Sequence, residues 1–229
     1  MPASPLDRPM LVPLLCLAVV VLAAAAGLLI QPDLARTGLA ENGPVETFSV
    51  VLHFLAAGVA LWLWRRGSAV SGVLAFAELL MALREMDVHR AFTTFGVFTT
   101  RLYARPDVPL AEKVGAAAAV LAIVALMLLA LWNSRAELRA LAADRAAALR
   151  GLIAVAVFVV VLKEIDGLPR MLARVGVILS ERADILSHSI EELGEMALPV
   201  LVMTVLLQLA RSTAAAPAAL TLPPCDAKA

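Results

Sequence analysis

Near the end of an apolar run, two carboxylates and an imidazole recur at helical spacing: Glu78, Glu85 and His89. At about 100° per residue, Glu85 and His89 fall within about 20° of Glu78, so the three form one polar stripe. Two more stripes carry the same chemistry. Glu46 and His53 are seven residues apart, and Glu191, Glu192 and Glu195 lie within about 60° of His188. The stripes together hold all three histidines of the chain.

Imidazole and carboxylate are the usual donors to zinc, iron and manganese, and a mononuclear zinc hydrolase needs three such ligands plus an open position for water. His53, His89 and His188 come from three different apolar runs and are the candidate ligands of a divalent metal, zinc first, iron or manganese next. Glu85 or Glu195 would then serve as general base or orient a ligating histidine. Glu46, Glu78, Asp87, Glu164, Asp166, Glu191 and Glu192 complete the expected cavity. The same groups can instead relay protons or cations, a use that Glu78, deep in its run, favours. Purely structural roles stay open: Asp87 is three residues from both Arg84 and Arg90, Lys163 adjoins Glu164, and His53 can be a hydrogen-bonded core residue. The chain has no paired Glu-x-x-His signature of di-iron bundles and no GxSxG, Walker or dinucleotide fingerprint.

These groups must be positioned in a membrane. The chain has 229 residues, 62% hydrophobic and 17% charged, with a mean hydropathy of +0.89. An ionised side chain at membrane depth costs about 2.5–3.5 kcal/mol on insertion scales, so each stripe must face protein, water, a metal or an opposite charge. The 19 basic and 19 acidic residues leave no basic excess for phosphates, which argues against a nucleic-acid partner. The expected fold is all-α, an integral membrane bundle of six transmembrane helices with interfacial amphipathic segments. Residues 1–211 form its one domain and 212–229, rich in Ala and Pro, a disordered tail.

The expected spans cover residues 10–30, 45–64, 68–89, 114–132, 151–166 and 185–210. The first is read as a retained helix, because its apolar run exceeds the ~7–15 residues of a signal peptide. Gly43-Pro44 reads as a turn before a helix, and Trp62 and Trp64 beside Arg65-Arg66 as an interfacial anchor. Residues 90–113, with Phe92, Phe95, Phe98 and Tyr103, read as an interfacial segment or a re-entrant lid. Ser134 with Glu137 suggests the capping box of a new helix over 133–150. Gly167-Leu168-Pro169 reads as a turn, and residues 170–182 as an amphipathic interfacial stretch. Cys16 and Cys225 are expected to be unpaired.

Six spans alternate in direction, so the second begins, the third ends, the fifth ends and the sixth begins on one side of the membrane. The polar stripes sit at those four places, which predicts one shared cavity. Lys and Arg are divided almost evenly between the two sides, so the positive-inside rule gives no orientation. Basic residues near the cavity are expected to neutralise its carboxylates. With those discounted, the N-terminus is expected in the cytoplasm and the cavity facing the periplasm of a bacterial inner membrane.

The run Glu41-Asn42-Gly43-Pro44-Val45-Glu46, the run Arg84-Glu85-Met86-Asp87-x-His89 and Glu191-Glu192-x-x-Glu195 resemble a group of small bacterial polytopic membrane proteins without an assigned activity. An Asn and a Glu leading the span that holds Ser49, then an acidic helix end at Asp87, are more loosely similar to the alkaline-ceramidase-like superfamily of membrane metal hydrolases. The second resemblance implies metal-dependent hydrolysis. The aromatic segment beside the cavity makes a membrane lipid, or a lipid-like molecule, the expected substrate. Proton- or cation-coupled transport and a non-catalytic membrane scaffold are the alternatives.

Overall fold

The structure, a computed structural model, describes residues 11–30, 43–144 and 147–215. Among them are eight helices and no strand: α1 Leu11–Ile30, α2 Pro44–Arg65, α3 Ala69–Glu85, α4 Val88–Ala91, α5 Thr100–Ala104, α6 Leu110–Ala143, α7 Ala147–Arg174 and α8 Glu181–Ala215. Three of them, α2, α6 and α8 as far as Arg211, are long and apolar enough to cross a membrane. A helix is suited to that medium because it satisfies its own backbone hydrogen bonds.

The core forms around α8, against which α1, α2 and α7 pack; α2 and α3 make a hairpin, and α6 lies on α3. Leu201, Val202, Val205, Leu206 and Leu209 of α8 are almost wholly enclosed. In contrast, only 6% of the apolar window of α6 is buried, and Leu121, Leu126, Leu128 and Trp132 face outward. An exterior this apolar is one that lipid solvates. Arg66 lies over the Trp62 ring at 3.7 Å and Arg135 over Trp132 at 4.2 Å, aromatic–cation pairs of the kind found at membrane interfaces.

The α2–α3 hairpin begins at Pro44, whose missing N–H is harmless in a first turn. It reverses at Gly67, where φ of +104° favours glycine. The Gly67 and Ser68 N–H groups donate back to the Trp64 and Leu63 carbonyls. The reversal lays Trp64 on Gly72, where a Cβ would come within 2.8 Å of the indole.

Two expected helix boundaries are corrected by partners from other helices. Ser134 and Glu137 begin no new helix, since α6 runs through them to Ala143. Ser134 Oγ donates to the Leu131 carbonyl within α6. Glu137 caps α3 instead, accepting from Ser68 Oγ at 2.8 Å and from the Val70 N–H at 2.9 Å. The unsatisfied amides and positive dipole end of α3 draw that carboxylate across. Likewise, α7 does not turn at Pro169 but continues to Arg174. Proline at 169 removes the N–H that would bond the Ile165 carbonyl, and Ser187 Oγ of α8 donates to that carbonyl at 3.2 Å. The expected interfacial stretch 170–182 is therefore the end of α7, a connection and the first residues of α8.

Residues 92–109 fold as a cap on α6. Leu102 and Val108 are buried against Ala116, and Thr94 donates through N–H and Oγ1 to Glu112. Phe92 and Phe98 remain exposed. Cys16 is a free thiol, and Cys225 lies outside the described residues. At the C-terminus α8 reaches Ala215, and the rest of the expected tail, 216–229, lies outside them as well.

Candidate functional site

The starts of α2 and α8 and the ends of α3 and α7 meet around a cavity of about 600 Å³. Glu46 enters from α2, Arg84 and Glu85 from α3, Asp166 and Arg170 from α7, and Asp184, His188, Glu191, Glu192 and Glu195 from α8. Asp87 and Arg90, at the junction of α3 and α4, complete the polar wall with Ser187. Asp87 is left-handed at φ 51°, a conformation its short polar side chain tolerates, and it turns the chain out of α3.

Eight carboxylates thus face three guanidiniums and one imidazole. Arg84 is the cation that joins helices: its Nη2 donates to Glu195 Oε1 at 2.8 Å, and its Nη1 lies 4.0 Å from Glu85. The other two arginines serve local partners. Arg90 pairs with Asp87 at 3.2 Å, and Arg170 at 2.8 Å shares Asp166 with Lys163. His188 lies 3.9 Å from both Glu191 and Glu192. Carboxylates remain in excess, so the wall of the cavity is acidic.

About two turns deeper, His53 Nδ1 donates to Glu78 Oε2 at 2.7 Å, with His53 0% and Glu78 3% exposed. The depth follows from spacing: His53 is seven residues beyond Glu46 and Glu78 seven before Glu85, about 10 Å along each helix. Ser49, buried on the same face of α2, sits between Glu46 and His53. Ser49 Oγ and His53 Nε2 have no hydrogen-bond partner among the described residues. A buried polar atom left without one costs free energy that packing must offset.

The stripe on α3 continues past Glu78. Ser71, seven residues earlier and fully buried, donates from Oγ to Ser68 Oγ at 2.9 Å, and Ser68 leads to Glu137. Polar groups therefore follow α3 from the cavity to its other end. Apolar residues interrupt them twice, Leu74 buried between Ser71 and Glu78 and Ala82 buried between Glu78 and Glu85.

Of the residues expected at one site, Glu46, Glu85, Asp87, Asp166, His188, Glu191, Glu192 and Glu195 line the cavity together. His53 and Glu78 form the deeper pair. Glu164 is exposed on α7 and does not line the cavity. The side chain of His89 lies outside the described residues, although its backbone is in α4. Among the described residues no three His, Cys, Asp or Glu side chains are arranged to hold a metal ion. Arg84 lies off the Glu78–Glu85 stripe by its Cα direction, but its long side chain ends far from that direction and reaches Glu195. The signal available for it was electrostatic, as a half-buried acidic cluster draws in the nearest cation.

Fold and site together define a protein that is all-helical over the described residues, with helices long and apolar enough to cross a membrane and an acidic cavity where four helix ends meet. Comparison of the chain with protein-family models, curated proteins and solved structures found no match.

Proposed function

We propose that this chain is a six-span bacterial inner-membrane protein that moves protons, or a small cation in exchange for them, as a transporter or channel component. The observation that carries the reading is the buried His53–Glu78 pair, on the same two helix faces as the cavity residues Glu46 and Glu85. Ionisable groups inside a membrane bundle are costly, and they characteristically mark ion and proton paths. The cavity carboxylates gather cations; Ser49, His53 and Glu78 carry a proton inward; Ser71, Ser68 and Glu137 receive it beyond Leu74. Imidazole suits the central place because one ring nitrogen can release a proton while the other takes one up. In this reading α1, α3 and α7 complete the six crossings. The 20 residues of α1 rise about 30 Å and the 17 of α3 about 25 Å.

The test is proton flux into liposomes holding a pH-sensitive dye, driven by a potassium diffusion potential. Wild-type protein should acidify the lumen, and Glu78→Gln should reduce the rate at least tenfold. Wild-type flux no faster than that of empty liposomes overturns the reading. In the proposed orientation, with the N-terminus in the cytoplasm, a reporter fused after Arg66 is cytoplasmic; a periplasmic one reverses it.

A metal-dependent lipid hydrolase, with Glu85 or Glu195 as base, is the second reading. It is favoured by an apolar groove that shares Arg84 with the cavity. Stoichiometric divalent metal together with lipid turnover selects it. Neither flux nor turnover leaves a non-catalytic scaffold.

A further inference from the structure

Arg84 borders two cavities. On one side is the acidic cavity; on the other is an apolar groove of about 580 Å³ between α3, the aromatic segment and α6. Leu80, Leu83 and Phe98 form one wall of the groove. On the α6 wall, Ala111, Gly115 and Ala119 recur every four residues, so that small side chains leave a straight track along the helix. Phe92 and Phe98 line the groove and are exposed.

The groove is apolar apart from Thr93, Glu112 and Arg84, and Arg84 is shared with the carboxylate-lined cavity. We propose that this path binds a membrane phospholipid whose headgroup ends in a primary ammonium, the acyl chain lying along α6, the phosphodiester on Arg84 and the ammonium among Glu85, Glu191 and Glu192. The Arg84 side chain is 42% exposed, and its carboxylate contacts use part of a five-donor fork that suits phosphate oxygens. An anionic headgroup with no ammonium would meet eight carboxylates against three guanidiniums. A trimethylammonium headgroup brings a positive charge but no N–H to donate. Lipid occupancy is separate from proton movement, and its test reads binding alone.

The test uses the full chain in nanodiscs of equimolar phosphatidylethanolamine, phosphatidylcholine and phosphatidylglycerol, transferred to mild detergent, with retained lipids counted by native mass spectrometry. Phosphatidylethanolamine should be retained about tenfold over the other two. Arg84→Gln should abolish the preference. Gly115→Phe puts a ring into the groove from a position where a Cβ meets nothing within 4 Å, and its thermal unfolding is measured beside lipid retention. It keeps the test decisive if Arg84→Gln fails to fold. Equal retention of the three lipids, preference for phosphatidylglycerol or phosphatidylcholine, or an unchanged preference in a folded Gly115→Phe protein overturns the proposal.

Discussion

His53 and Glu78 meet at 2.7 Å in the interior of the α2–α3 hairpin, where neither is within reach of bulk water. Removing one partner strands the other, and breaking a buried pair costs about 3–5 kcal/mol. Glu78→Ala and His53→Ala should therefore each lower the thermal midpoint in detergent clearly. The double replacement His53→Leu with Glu78→Leu should recover much of that loss, since apolar groups of similar size are often neutral at such sites. Proton flux should stay absent in the double variant. Recovered stability with flux retained would remove the pair from the pathway.

Glu137 holds the first turn of α3 from another helix. Glu137→Ala should cost about 1–2 kcal/mol, the range of a lost N-cap. Hydrogen exchange should then quicken at residues 69–72 but not at the start of α2. Uniform quickening would contradict a local capping role.

Ser187 and Pro169 form a compensating pair through the Ile165 carbonyl. Ser187→Ala should destabilise by about 1 kcal/mol on its own. In a Pro169→Ala background, where residue 169 regains its N–H, the same change should be nearly silent. Additive effects across this double-mutant cycle would mean the hydroxyl does not stand in for the missing amide.

On the cap, outside the spanning helices, the hydrogen bond from Arg105 holds the Asp107 carboxyl below its ordinary range. A depressed folded value means that the clasp is fully present above the ordinary carboxylate pKa, about 3.9, and is lost as pH falls through the depressed one. Proteolysis within residues 99–109 should therefore be flat from neutral pH to about pH 4 and rise only in stronger acid. Asp107→Asn should remove that acid step.

The cavity was legible in the sequence because its members repeat at seven-residue spacing on apolar runs. The starts of α2 and α8 and the end of α3 then bring Glu46, Glu85 and His188 together. Depth was harder to read, as spacing alone gives a face and not a layer. His53 and Glu78 share faces with the cavity residues but lie inside them. Glu137 and Pro169 misled for a common reason: a local motif is also local chemistry on offer, and a hydroxyl or amide from another helix can take it up. Ser71 passed unnoticed although it continues the stripe of Glu85 and Glu78, because a hydroxyl carries no charge to make it conspicuous among apolar neighbours.

Leu74 fills the apolar interval on the polar face of α3 between Ser71 and Glu78, about 10 Å long. In the proposed transporter, polarisable groups on both sides would make an applied membrane voltage fall steeply across that interval and not evenly over about 30 Å of hydrocarbon. The interval then behaves as a thin capacitor whose plates are the two polar clusters. An elementary charge moved past Leu74 would exchange with the field most of the roughly 2.3 kcal/mol available per 100 mV. Voltage sensitivity would then reside in one leucine, and its side-chain volume would tune the plate separation.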